Sequence, residues 1–292
     1  MLTNFHRTAG ITLVMSSYFV LTVSAQKDAP PLETVLKAAA EYVLEYSRRL
    51  QAVGAEEDYL QMDTGGGRVN LTRRVSSDVV MVGLDRGQIR MYRDAYAIDT
   101  KAIHQRTDRL LKLFTEPPGP PIGPLQYAQR FTDGSVPAYI SPNLQALDSP
   151  LEPLVLLRQE NQLRTTFKLD SVKTSGGVQV ALLKFNENAA PSLVRSPVDV
   201  PVTGRVWIEL PSGVVRQTEV IISNKELNLK ASVTFALDKG TGLWLPKEGS
   251  QICDISAAGL GGSGTLNMRQ SLETHFRYAK YQQVTIELER MR

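Results

Sequence analysis

The sequence predicts an α+β protein made mainly of an antiparallel β-sheet meander, a curved sheet or half-barrel, with an N-terminal amphipathic helix packed on it. Three observations predict this. Apolar residues recur at alternating spacings of four and three between Leu32 and Val53, which lines one face of a helix. From Glu57 onward the period changes to two, the repeat of a half-buried strand. Asp, Pro and Gly clusters then interrupt the chain at regular intervals, as hairpin turns require. The composition agrees: 42% hydrophobic residues in 292 supply a substantial core, whereas 22% charged residues with only 1 Cys leave no room for a disordered or disulfide-built chain.

Residues 1–25 form a predicted signal peptide. Polar Asn4, His6 and Arg7 precede the apolar run Ile11 to Val23, and small residues end at Ala25. The run is broken by Ser16, Ser17 and Thr22 and falls short of the roughly 20 apolar residues that span a bilayer. No Cys follows it, so the expected product is a free periplasmic or secreted protein, not membrane-spanning once the signal is removed. Arg7 is the segment's one charge, so the net +3 falls by one unit. Acidic and basic residues are interleaved throughout, as where Arg48 and Arg49 stand near Glu56, Glu57 and Asp58, and the basic stripe that nucleic-acid binding needs is missing.

Three regions follow, at 26–114, 115–150 and 151–292. In the first, Ala29, Pro30 and Pro31 open the helix, whose face carries Leu32, Leu36, Ala39, Val43, Tyr46, Leu50 and Val53, with Gly54 as its stop. Strands are expected at Asp58 to Met62, Val69 to Val75, Asp78 to Leu84 and Gln88 to Ile98, and a helical turn at Asp108 to Phe114. The second region is an irregular crossing dominated by Pro117, Pro118, Pro120, Pro121 and Pro124, with one short helix around Leu125 to Phe131. In the third, a short helix at Leu151 to Gln162 leads into seven strands ending at Val284. Val206, Ile208 and Leu210 face one way, while Arg205, Trp207 and Glu209 face the other, and Val233 and Phe235 line one face of a later strand.

Chemistry is sparse. Only His104 and His275 follow the signal segment, and no metal-binding spacing joins either to Cys253, so neither a metal nor a cofactor is expected. Gly259, Gly261 and Gly264 satisfy a dinucleotide pattern, but a strand is expected where that site needs a helix. Cys253 is expected to be a small buried strand residue rather than a nucleophile paired with His275. No catalytic residue is assigned. The candidate hydrophobic face is Val206, Ile208, Leu210, Val233 and Phe235. It suggests a non-enzymatic binding module for a lipid, another hydrophobic ligand or an envelope protein, although the reading the pattern favours for these five residues themselves is that they fill a dry core. The alternatives are a hydrolase assembled from distant strands, with Arg93, Asp94, His104 and His275 the first positions to inspect, and a structural component of the cell envelope.

The chain resembles a group of exported bacterial proteins that share strand motifs and have no assigned activity. The motifs are Ser77-Asp78-Val79-Val80-Met81-Val82 with Met91-Tyr92-Arg93-Asp94-Ala95-Tyr96-Ala97-Ile98-Asp99, then Asp108 to Phe114, Gly204-Arg205-Val206-Trp207-Ile208, Gly213 to Glu219, and Gly242-Leu243-Trp244-Leu245-Pro246. Thr100 replaces the group's usual turn Gly, and the Pro-rich stretch replaces a more helical segment. The meander from Gly204 to Tyr281 is more distantly similar to the lipoprotein-carrier (LolA-like) architecture. That resemblance implies a sheet curled around helices and an acyl chain or partner as ligand.

Overall fold

A computed structural model describes residues 29–65, 68–119, 122–140, 149–195, 199–225, 227–255 and 270–286. The predicted signal peptide and the 257–265 loop lie outside them. Helix α1 (Leu32–Leu50) starts behind Pro31 and carries Val35, Ala39, Val43, Tyr46 and Leu50 on its buried side. It ends earlier than its apolar period predicts. Gln51 turns to φ 45°, and Val53 and Gly54 join the first strand, where ladder hydrogen bonds to two neighbours replace the helical ones.

Eleven strands follow among the described residues: β1 (Ala52–Gly65), β2 (Arg68–Gly83), β3 (Ile89–Ile98), β4 (Lys101–Ala102), β5 (Thr165–Ser175), β6 (Val178–Glu187), β7 (Thr203–Leu210), β8 (Val215–Ser223), β9 (Leu227–Asp238), β10 (Leu243–Ile255) and β11 (Gln270–Val284). The two strands expected between Val69 and Leu84 are one, β2, with a register shift between Ser76 and Ser77 against β3. All eleven form a single antiparallel sheet in the order β4-β3-β2-β1-β11-β10-β9-β8-β7-β6-β5. The N-terminal hairpins and the later meander are therefore one continuous sheet, joined where β1 pairs with β11.

The sheet curls. Helix α1 touches both β2 and β5, which a flat sheet would hold about 38 Å apart at roughly 4.8 Å per strand, beyond the helix length of about 28 Å. Two glycines let α1 sit this low. A Cβ on Gly83 would lie 1.8 Å from the Ser47 carbonyl oxygen, and one on Gly213, itself at φ +74°, would lie 2.2 Å from that of Ala38. Gly204 and Gly249 accept the rings of Phe185 and Phe276 from the adjacent strands, so each aromatic covers a backbone that lacks a side chain.

The concave core gathers the inner residues of nearly every strand around α1. The expected helix at Leu151 to Gln162 is instead two 3₁₀ turns, Glu152–Leu157 and Gln159–Arg164, whose Leu154, Leu156 and Leu157 are buried. A second cluster lies on the other face. There α2 (Arg109–Thr115) and α3 (Pro124–Ser135) pack Leu110, Phe114 and Ala128 against Ala52, Val80, Val82 and Tyr92. Helix α3 also protects the β3 edge: the N–H of Arg93 donates to Thr132 Oγ1 at 3.0 Å and that of Ala95 to Ser135 Oγ at 2.8 Å. A strand edge left bare would invite pairing with another chain.

Candidate functional site

Beyond the stretch that α3 caps, the edge of β3 borders a cleft of about 690 Å³. Its walls are β3 itself, α3 and the 3₁₀ turn Glu152–Leu157. Met91, Leu151 and Leu154, members of the concave core, reach its floor, and partly buried Leu193 stands on a further side. Arg90, Arg93, Arg158 and Arg195 share the lining with Asp133 and Glu152, with Gln88, Gln129, Thr132 and Ser149 as neutral polar groups.

Arg93 belongs to a buried polar cluster behind this wall. Glu57 occupies an inward position of β1, in line with Val53, Ala55, Tyr59 and Gln61, and its carboxylate is wholly buried. Arg93 Nε donates to both of its oxygens, at 3.0 and 3.2 Å. Tyr278 Oη donates to Oε1 at 2.7 Å, and Tyr139 Oη lies 3.5 Å from Oε2 and 3.2 Å from Ser77 Oγ. Burial opposes the charge of Arg93, but Glu57 and the two tyrosines outweigh it and raise its pKa. Gln61 fastens Ile140 beside the cluster, with Nε2 donating to the Ile140 carbonyl and Oε1 accepting its N–H at 2.7 Å.

Burial, reinforced by Glu57, holds the phenols of Tyr139 and Tyr278 well above their ordinary pKa of 10.0, and Tyr46, Tyr59 and Tyr281 are raised by burial too. Because the folded pKa exceeds the unfolded one, this contribution to stability is whole below pH 10 and is lost as pH rises toward the folded values. Tyrosinate absorbance at 295 nm should therefore rise later in the native protein than in urea, and urea stability should fall above pH 10. Coincident titration curves would contradict the burial of these rings.

The other inspected residues fall elsewhere. Asp94, next to Arg93, points to the opposite face, where Arg109 grips it with two bonds of 2.6 and 2.8 Å. His104 Nε2 is 3.3 Å from Asp94 and 3.0 Å from Arg109 Nη2, while its Nδ1 meets the Gln105 carbonyl. The partners of the ring are a cation, a carboxylate and a backbone carbonyl rather than a nucleophile. His275 pairs with Glu273 at 2.8 Å on outward positions of β11. Of the four positions, then, only Asp94 and His104 meet. Cys253 is buried, and desolvation, with Asp254 adding to it, pushes its thiol up to about 11, which suits a packing residue. Among the described residues, no group of three His, Cys, Asp or Glu is arranged to hold a metal, and no helix is long and apolar enough to cross a membrane.

Val206, Ile208, Val233 and Phe235 are buried in the concave core, and Leu210 packs against it. Leu237, on the same strand face as Phe235, is half exposed where β9 runs out.

No family model matches the sequence, and no curated protein matches it either. Among solved structures, the chain is similar to a domain named for outer-membrane lipoprotein sorting from Vibrio parahaemolyticus, with a TM-score of 0.43, 9% identity, and coverage of 87% of this chain and 96% of that one. It is also similar to a DUF1329 family protein from Desulfovibrio piger (TM-score 0.35, 9% identity, 87% and 93% covered) and to a LolA superfamily protein from Nitrosomonas europaea (0.31, 9%, 87% and 97%). The likeness is distant. At these scores it carries no argument about ligand or activity.

Proposed function

We propose that the protein is a non-enzymatic binding module of the bacterial cell envelope whose ligand, apolar over part of its surface, seats in the β3-edge cleft. The observation that carries this reading is the cleft's construction. Its volume lies within the roughly 300–1,000 Å³ of small-molecule sites, and core side chains Met91, Leu151 and Leu154 floor it below a polar rim. The face of Val206, Ile208, Leu210, Val233 and Phe235 serves in this reading as the packed wall beneath α1, and the ligand meets the protein at the cleft. An exported setting follows from the predicted signal peptide.

The test is a titration with N-phenyl-1-naphthylamine, a neutral apolar fluorophore. Saturable enhancement at one probe per chain is expected. Leu193→Gln, on the cleft wall, should weaken it at least fivefold, and Leu237→Gln, on exposed sheet, should not. Unsaturable enhancement, or equal response of both variants with native circular dichroism, would overturn the proposal.

A further inference from the structure

Four arginines line the cleft against two carboxylates, and the disposition of those charges bears on what it binds. Arg93 is spent on Glu57, and Glu152 lies 3.8 Å from Arg195. Arg158 contacts Glu160, yet its Nε is buried with no acceptor among the described residues. Arg90 is exposed on β3 beside Gln88. The backbone adds donors: the N–H groups of Arg93 and Ala95 point away from β2 toward α3, and by the alternation of an antiparallel ladder those of Ile89 and Met91 point the same way, toward the cleft. Arg90, which has no ion pair among the described residues, the unsatisfied Nε of Arg158 and the outward amides make a rim complementary to a planar or tetrahedral oxyanion, which arginine binds through paired N–H bonds.

We infer that the cleft recognises an anionic group, a phosphate or carboxylate, through Arg90 and Arg158, with Arg195 and the β3 edge amides completing the rim. This rests on the reading of the cleft as a ligand site and names the polar end of that ligand. Arg93 is a positioning residue here: held by Glu57, it fixes the β3 wall from behind. The anion comes either as the headgroup of an amphiphile or free in solution, and the two sources differ in whether the apolar floor is used.

Displacement of N-phenyl-1-naphthylamine by dodecyl phosphate and by uncharged monolaurin separates the possibilities, with inorganic phosphate as a third competitor. Dodecyl phosphate is expected to displace the probe at least tenfold more tightly than monolaurin. Arg90→Gln should cut that preference severalfold, Arg158→Gln should do the same, and 0.5 M NaCl should weaken it. Because Arg158 is largely buried, the exposed Arg90 variant keeps the test decisive if Arg158→Gln fails to fold. Equal displacement by the charged and neutral amphiphiles, unmoved by Arg90→Gln, overturns the anion site while leaving the binding module intact. Should the probe itself fail to bind, broadening of the ³¹P resonance of inorganic phosphate by wild type and not by Arg90→Gln still supports an anion site and assigns it to a free anion. No broadening in that case overturns it.

Discussion

Glu57→Ala is expected to cost about 3–5 kcal/mol, because it strands the guanidinium of Arg93 in the core without its counter-charge. The pair is buried on both sides, with side-chain exposures of 0% for Glu57 and 8% for Arg93. Two phenols would also lose their acceptor, since Tyr278 and Tyr139 both address the same carboxylate. Urea denaturation should register the loss as a lower midpoint with little change in slope. The double variant Glu57→Leu with Arg93→Met should recover much of it, because two apolar side chains of similar volume need no pairing. A Glu57→Ala midpoint within about 1 kcal/mol of wild type would mean that Arg93 finds another partner or reaches water.

Gly83→Ala is the second large effect. The added methyl would sit 1.8 Å from the Ser47 carbonyl oxygen and 3.4 Å from Leu50 Cβ, so α1 must rise from the sheet or β2 must bend. Overpacking of this kind costs about 1–3 kcal/mol, and the upper end is expected because the clash is with backbone, which cannot swing aside as a side chain can. Lifting α1 would also loosen the seal over Leu50, Val53 and Met81, so stronger binding of anilinonaphthalene sulfonate should accompany the loss. Gly119, where a Cβ meets nothing within 4 Å, is the control, and Gly119→Ala should be silent. If the two variants proved equally stable, the close seating of α1 would be wrong.

Much of this architecture is legible in the amino-acid pattern because it depends on local periods. The stripe Ala39, Val43, Tyr46 and Leu50 and the inward set Val206, Ile208, Val233 and Phe235 follow from 3.6- and 2-residue repeats, whereas in the first turn Val35 takes the buried place and Leu32 and Leu36 are only partly covered. The end of α1 is less legible, since Val53 extends the helical period by chance while its backbone is claimed by β1. The cleft is less legible still. Its walls come from β3, α3 and a 3₁₀ turn far apart in sequence, and nothing in the Pro-rich crossing announces that its helix will lie along the β3 edge. Glu57 did carry a signal: it stands at an inward position between Ala55 and Tyr59, and a carboxylate there demands a buried cation. Which cation could not be read from the sequence, because the pairing with Arg93 depends on two strand registers at once. Thr100 shows the converse. It stands where glycine is expected and adopts φ 70°, so the turn keeps its left-handed shape at the expense of a β-branched residue.

The position of β11 between β1 and β10 has a consequence for how the molecule is assembled. Glu57 on β1 and its partner Tyr278 on β11 are 221 positions apart, so a chain emerging in order from a ribosome or translocon holds an unfinished edge on β1 until β11 arrives. Until then, β1 to β4 and β5 to β10 are two half-sheets with nothing between them. The last of the described strands to be made is the one that stitches them together. Closing so long a loop before its contacts can reward it slows folding. The waiting edges of β1 and β10 are therefore where a chaperone, or a second nascent copy, would find its opportunity.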